Sequence, residues 1–196
     1  MKKKFLFVFT LLVLMFSVVA CGSSGDVVVN PPDEGEPIDV EVPTQEEATE
    51  APKLGTARSN PAPVGSEVIV DDMAFKILGA TRPADEIIMA GNQFNSAPEE
   101  GEEYVLVELQ ATCQKSSDDK CSLNPMFNIS LIGSSGVMHD LEIVVSGVDG
   151  LLESTEFYGG ATVSGTLPFI IGQDETDLIL VYEPFLGDAF YLEIPN

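Results

Sequence analysis

Positive charge is what this sequence has least of. Only 9 Lys and Arg oppose 32 Asp and Glu, for a formal net charge of −23 at pH 7. Three of those cations, Lys2, Lys3 and Lys4, fall in an N-terminal segment that reads as removable, so the mature chain is more acidic still. Nucleic-acid binding depends on Lys and Arg neutralising phosphates, which disfavours that function and repels anionic headgroups. Cationic partners, peptides and divalent ions remain compatible, and the charge by itself serves solubility.

Histidine is nearly absent, with His139 alone. A zinc site would need further ligands that the chain does not offer. His139-Asp140 has the chemistry of a general base, but no serine sits in a nucleophile elbow, so a surface hairpin histidine is expected. No Cys-x-x-Cys redox motif occurs. Paired carboxylates recur at Asp71-Asp72, Glu99-Glu100 with Glu102-Glu103, Asp118-Asp119, and Asp174-Glu175 with Asp177, yet none has EF-hand spacing. Calcium therefore stays open as a ligand of turn carboxylates, and no other cofactor is expected. Glycosidase chemistry lacks a defined carboxylate pair. No catalytic or metal-binding residue is assigned.

The N-terminus does carry a signal. Lys2 to Lys4 precede an apolar run from Phe5 to Val19 that is shorter than the roughly 20 residues of a membrane span, as in a signal peptide. It ends in Val18-Val19-Ala20-Cys21, which resembles the lipobox of bacterial lipoproteins. That resemblance implies cleavage before Cys21 and a diacylglyceryl thioether on its sulfur, hence a lipid anchor in the cell envelope with the chain outside the cytoplasm. The expected organisation is a signal peptide over 1–20, a lipidated Cys21 with a linker over 21–62, and a folded domain over 63–196.

The linker is marked by Pro31, Pro32, Pro37, Pro43, Pro52 and Pro61 among acidic residues. It has too little apolar surface to offset ordering entropy, so disorder is expected. As a coil it would reach about 35 Å and hold the domain off the membrane. Val27-Val28-Val29 and Ile38-Asp39-Val40-Glu41-Val42 are the two stretches with the pattern of an extra strand.

Beyond Gly65 the apolar pattern has period two, and no long amphipathic helix is visible. Strands are expected at Glu67 to Val70, Ala74 to Ala80, Tyr104 to Thr112, Phe127 to Ile132, Val137 to Leu141, Ala161 to Ile171, Leu178 to Tyr182 and Phe190 to Ile194. Alternation places Val105, Val107, Leu109 and Ala111 on a core face, with Phe127, Ile129 and Leu131, and with Phe190, Leu192 and Ile194. Asp71-Asp72 and Gly133 to Gly136 suit hairpin turns. Seven to eight such strands predict an all-β, immunoglobulin-like antiparallel β-sandwich.

Pro63-Val64-Gly65, the strand Gly101 to Leu109, Gly165-Thr166-Leu167-Pro168-Phe169 and the closing Leu178 to Tyr182 and Tyr191 to Ile194 are strand and turn motifs. Together they resemble a domain family of exported bacterial lipoproteins. That family is itself similar to a secreted mycobacterial immunoprotective antigen and has a telokin-like immunoglobulin fold. The resemblance implies fold and export, with no activity and no catalytic residue to carry over. Where the family typically has Asn, this chain has Cys113. With Cys21 lipidated, Cys113 and Cys121 are left to pair as a disulfide in an oxidising compartment.

The segment Arg82 to Glu103 is long for a loop and carries Ile87, Ile88, Met89 and Phe94, which either cap the sandwich or form a recognition surface. Val144 to Tyr158 invites the same two readings. The leading expectation is a lipid-anchored, non-enzymatic binding module for a protein, peptide or small molecule. The alternatives are an envelope enzyme or its accessory, and a structural envelope protein stabilised by divalent ions.

Overall fold

The computed structural model describes residues 28–30, 53–144, 148 and 150–195. The signal peptide and Cys21 lie outside the described residues. Among these residues no helix is long and apolar enough to cross a membrane.

Two antiparallel sheets face one another, as the period-two pattern predicts. The first has the order β1 (Val28–Asn30), β2 (Glu67–Val70), β3 (Met73–Thr81), β4 (Glu102–Cys113), β9 (Thr162–Gly172). The second has the order β11 (Phe190–Glu193), β10 (Ile179–Tyr182), β6 (Ile129–Ile132), β7 (Met138–Asp140). A ribbon of β5 (Lys120–Leu123) and β8 (Thr155–Tyr158) completes the structure. Each of the eight expected strands has a counterpart. The count is higher than expected because β1, β5 and β8 are short and their pairing partners are remote in sequence.

The buried faces of the two sheets interlock. Phe75 of β3 lies 4.7 Å from Tyr182 and 5.4 Å from Phe190, ring centre to ring centre, so this trio joins both sheets. Leu109, Leu131, Leu167, Phe169 and Leu180 are fully buried around it. Burying each such side chain stabilises the fold by about 1.5–3 kcal/mol relative to leaving it in water. Phe127 does not join them. It belongs to a short helical turn, α2 (Pro125–Asn128), and is 83% exposed, because Pro125 opens a helical turn where the alternation predicted strand.

The expectation of a disordered linker over 21–62 is corrected at two places. Val28–Asn30 pairs antiparallel with β2, Val28 opposite Ile69 and Asn30 opposite Glu67. The open edge of β2 offers unpaired backbone groups, and a valine-rich segment suits them. Residues 53–62 fold into a turn, Gly55 N–H donating to Asn60 O at 2.8 Å, and dock on β11, where Tyr191 N–H donates to Gly55 O and Ala62 N–H to Tyr191 O, each at 2.8 Å, and Ala62 itself is buried. The stretch Ile38 to Val42 lies outside the described residues.

Arg82 to Glu103 is not a plain loop either. Asp85–Gly91 forms the helix α1, with Asp85 and Glu86 in its first turn, where negative charge suits the helix dipole. Its Ile88 is fully buried in a small second cluster with Ala84, Tyr104 and Leu106.

Candidate functional site

The sandwich has two ends of different character. The end where β3 finishes and β4 starts carries α1 and is called here the α1 end. At the other end lie the β2–β3 turn, the loop after β4, α2 and the β10–β11 loop, and this is the disulfide end.

At the α1 end, hydrogen bonds from both backbone and side chains fix the candidate recognition segment. Ala84 N–H donates to Tyr104 O at 2.8 Å, and Tyr104 N–H to Asp85 Oδ1 at 3.0 Å. Asn95 Nδ2 donates to Ile88 O at 2.8 Å, and the Tyr104 hydroxyl to Ser96 O at 3.0 Å. Ile87, Met89 and Phe94 are left facing solvent, Phe94 71% exposed. Ile88 is withdrawn from any such surface: one turn of helix sets it against the sheet, so it belongs to the core.

Beside α1 a polar knot joins three loops. Arg82 Nε donates to Glu103 Oε1 at 2.6 Å and its Nη1 to Glu175 O at 2.7 Å. The buried Glu175 carboxylate accepts from the Ser135 amide at 2.9 Å, from the Ser134 hydroxyl at 3.1 Å and from the Ser135 hydroxyl. His139 Nε2 lies 3.8 Å from Glu175 Oε1, buried and without a hydrogen bond. Burial pushes the Glu175 carboxyl up, but the Ser135 hydroxyl and amide, the Ser134 hydroxyl and His139 together hold it below its ordinary value.

This knot contains serine, histidine and carboxylate, yet its wiring differs from a nucleophile-activating triad. The serine hydroxyls donate their hydrogen bonds to the carboxylate, and neither donates to His139 Nε2. Such an arrangement ties the Gly133–Gly136 turn to the β9–β10 loop. The sequence points to a surface hairpin histidine; His139 does lie in the β6–β7 hairpin, but its Nε2 is turned inward and buried beside Glu175, which the sequence leaves among turn carboxylates. The partners of Glu175 are some forty residues away, and nothing local signals them.

At the disulfide end Cys113 and Cys121 are joined, with Cα atoms 5.7 Å apart. The chain turns tightly at Asp71 and Asp72, both at positive φ (48° and 60°), the geometry of a two-residue hairpin. Gly159 packs against the backbone carbonyls of Lys115 and Ser116 so closely that a Cβ would collide with them. A cleft of about 510 Å³ opens here, lined by Asp71, Lys115, Lys120, Tyr182, Phe185 and Leu186 among others. Lys120 Nζ is held by Glu156 at 3.1 Å. Burial, then the Asp71 charge, pushes the Tyr182 phenol up to about 12.

The stretch Val144 to Tyr158 contains β8 and contributes to an apolar cleft of about 350 Å³ with Met126, Leu141 and Ile143. Among the described residues no group of three or more His, Cys, Asp or Glu is placed to hold a metal. The acidic pairs are spread over separate turns, and Glu103 and Glu175 are engaged by Arg82 and by the serines.

A model of the family described as Domain of unknown function (DUF4352) matches residues 62–190. The chain belongs to that family. The DUF4352 domain has β-sandwich neighbours of known structure, all at low identity. The yjhA protein from Bacillus subtilis aligns with a TM-score of 0.50 and 15% identity, over 68% of this chain and 98% of that one. The secreted Mycobacterium tuberculosis protein MPT63 aligns with a TM-score of 0.47 and 12% identity, over 68% and 97%. A β-sandwich protein from Clostridium difficile aligns with a TM-score of 0.40 and 14% identity, over 79% and 100%. No curated protein matches the sequence. At 15% identity the likeness to the yjhA protein speaks for fold and not for activity.

Proposed function

We propose that this protein is a lipid-anchored lipoprotein of the bacterial cell envelope whose DUF4352 sandwich acts as a non-enzymatic binding module. The observation that carries the anchoring is Val18-Val19-Ala20-Cys21 at the end of a short apolar run behind three lysines. The disulfide agrees with an oxidising site outside the cytoplasm. The binding role is supported by Ile87, Met89 and Phe94, exposed apolar side chains on a segment that hydrogen bonds and the buried Ile88 hold rigid. The partner is a protein, a peptide or a small molecule with apolar surface. Nucleic acid is disfavoured by the charge.

Mass spectrometry of the native protein tests the anchoring. The expected product starts at Cys21 with a diacylglyceryl mass on it, and an intact Met1 or a bare thiol would sink the assignment. A hydrolase panel tests the non-enzymatic role: turnover that disappears in His139→Ala would replace this reading with an enzyme.

A further inference from the structure

The disulfide end carries apolar side chains that the fold does not use. Phe185 and Leu186 at the tip of the β10–β11 loop are 94% and 79% exposed, beside the 83% exposed Phe127 on α2. Two bonds set these tips side by side: Glu183 N–H donates to Asn128 O at 2.7 Å, and Asn128 Nδ2 to Glu183 O at 2.8 Å. Aromatic and leucine side chains held at loop tips suit the boundary between headgroups and acyl chains.

Chain geometry says what covers them. In its pairing with β2, β1 begins at Val28 opposite Ile69, so its first residue is the one nearest the Asp71-Asp72 turn. Cys21 precedes Val28 by seven residues. Seven residues of extended chain reach at most about 25 Å. The sandwich is longer: β4 alone runs from Glu102 at the α1 end to Cys113 at the disulfide end, and its twelve residues span about 40 Å. A lipid on Cys21 cannot be drawn round to the α1 end while β1 stays paired.

We infer that the disulfide end rests on the bilayer that carries the chain's own anchor, with Phe127, Phe185 and Leu186 entering its interface and the α1 end facing away, in place of the stand-off expected of a free coil over 21–62. The inference rests on the anchoring read from Cys21. The carboxylates of Asp71, Asp72 and Asp188 at the same end oppose anionic headgroups, so apolar insertion rather than charge supplies the contact, and zwitterionic lipid is the suitable probe.

The chain contains no tryptophan, so single reporters are available. Phe185→Trp, Phe127→Trp and Phe94→Trp all replace exposed rings and are made in the full chain, purified with its lipid and reconstituted in phosphatidylcholine vesicles with and without brominated acyl chains. The expected result is a blue-shifted emission, quenched by bromolipid, at 185 and 127, with solvent-like and unquenched emission at 94. A solvent-like reporter at both 185 and 127, or equal quenching at 94, overturns the docking while leaving the anchor intact. A blue shift at 185 without bromolipid quenching means protein, such as a second copy, covers the tips, and also overturns it. If mass spectrometry finds no lipid on Cys21, the anchoring falls and this orientation falls with it.

Discussion

At the α1 end, Arg82 and Glu175 gather the loops through hydrogen bonds and an ion pair, whereas at the disulfide end a covalent bond and a tight glycine contact do the same task. The first arrangement depends on protonation and the second does not. The difference also extends to what each end presents. The α1 end offers apolar side chains on a braced segment, while the disulfide end offers them on loop tips around a cleft. Under the proposed anchoring at Cys21, only the α1 end would be free to meet a partner, which would give the two ends different tasks.

Five variants would sharpen or break this contrast, the largest expected effect first. Replacing Cys113 and Cys121 together by Ser is expected to cost roughly 2–3 kcal/mol in the chain-entropy picture. In a domain of this size the melting temperature should fall by on the order of 10 °C. Reductant should reproduce the loss in the parent and leave the variant unchanged, and a melt insensitive to both would show that the disulfide end is closed by packing alone.

Glu175→Ala removes the acceptor for the Ser135 amide and two hydroxyls, which at a buried site costs about 1–3 kcal/mol. The lowered Glu175 pKa gives the sign of its pH dependence. Its contribution is present in full above the ordinary 4.5 and is lost as pH falls through the depressed folded value. Denaturant titrations at descending pH should converge for parent and variant in acid, and parallel curves would break the account of the knot.

Tyr182 sets the opposite limit at the other end. Its folded pKa is raised from 10.0 to about 12, so its contribution is whole below pH 10 and fades as pH rises through about 12. Tyr182→Phe should flatten the alkaline arm of the stability profile and leave the neutral region close to the parent.

The smallest effect is expected at Phe94→Ala and Phe185→Ala. Both rings are exposed, so stability should move by no more than about 0.5 kcal/mol. If either variant melts far below the parent, the ring is packed and neither end presents the surface described.

Much of the architecture was legible in the residues, because burial on one face of a strand writes itself into alternation. Val105 to Ala111 and Phe190 to Ile194 are examples, and their alternate residues are buried as the pattern requires. The same logic failed at Phe127, where Pro125 starts a helical turn and ends the alternation early. It also missed α1, a helix too short to declare a period. Of the recognition segment, Ile87, Met89 and Phe94 are exposed, but Ile88 is core, which only the packing of α1 on β4 reveals.

What the sequence by itself determined is the acidity, the sandwich pattern and the short spacing of Cys113 and Cys121, since each is written in composition or local spacing. Tertiary structure alone decided that Glu175 meets Ser134, Ser135 and His139, that Val28–Asn30 adds a strand to β2, and that Phe127 and the Phe185 loop share one end. Those are contacts between segments distant along the chain. They depend on how two twisted sheets stack, and local periodicity carries no record of that.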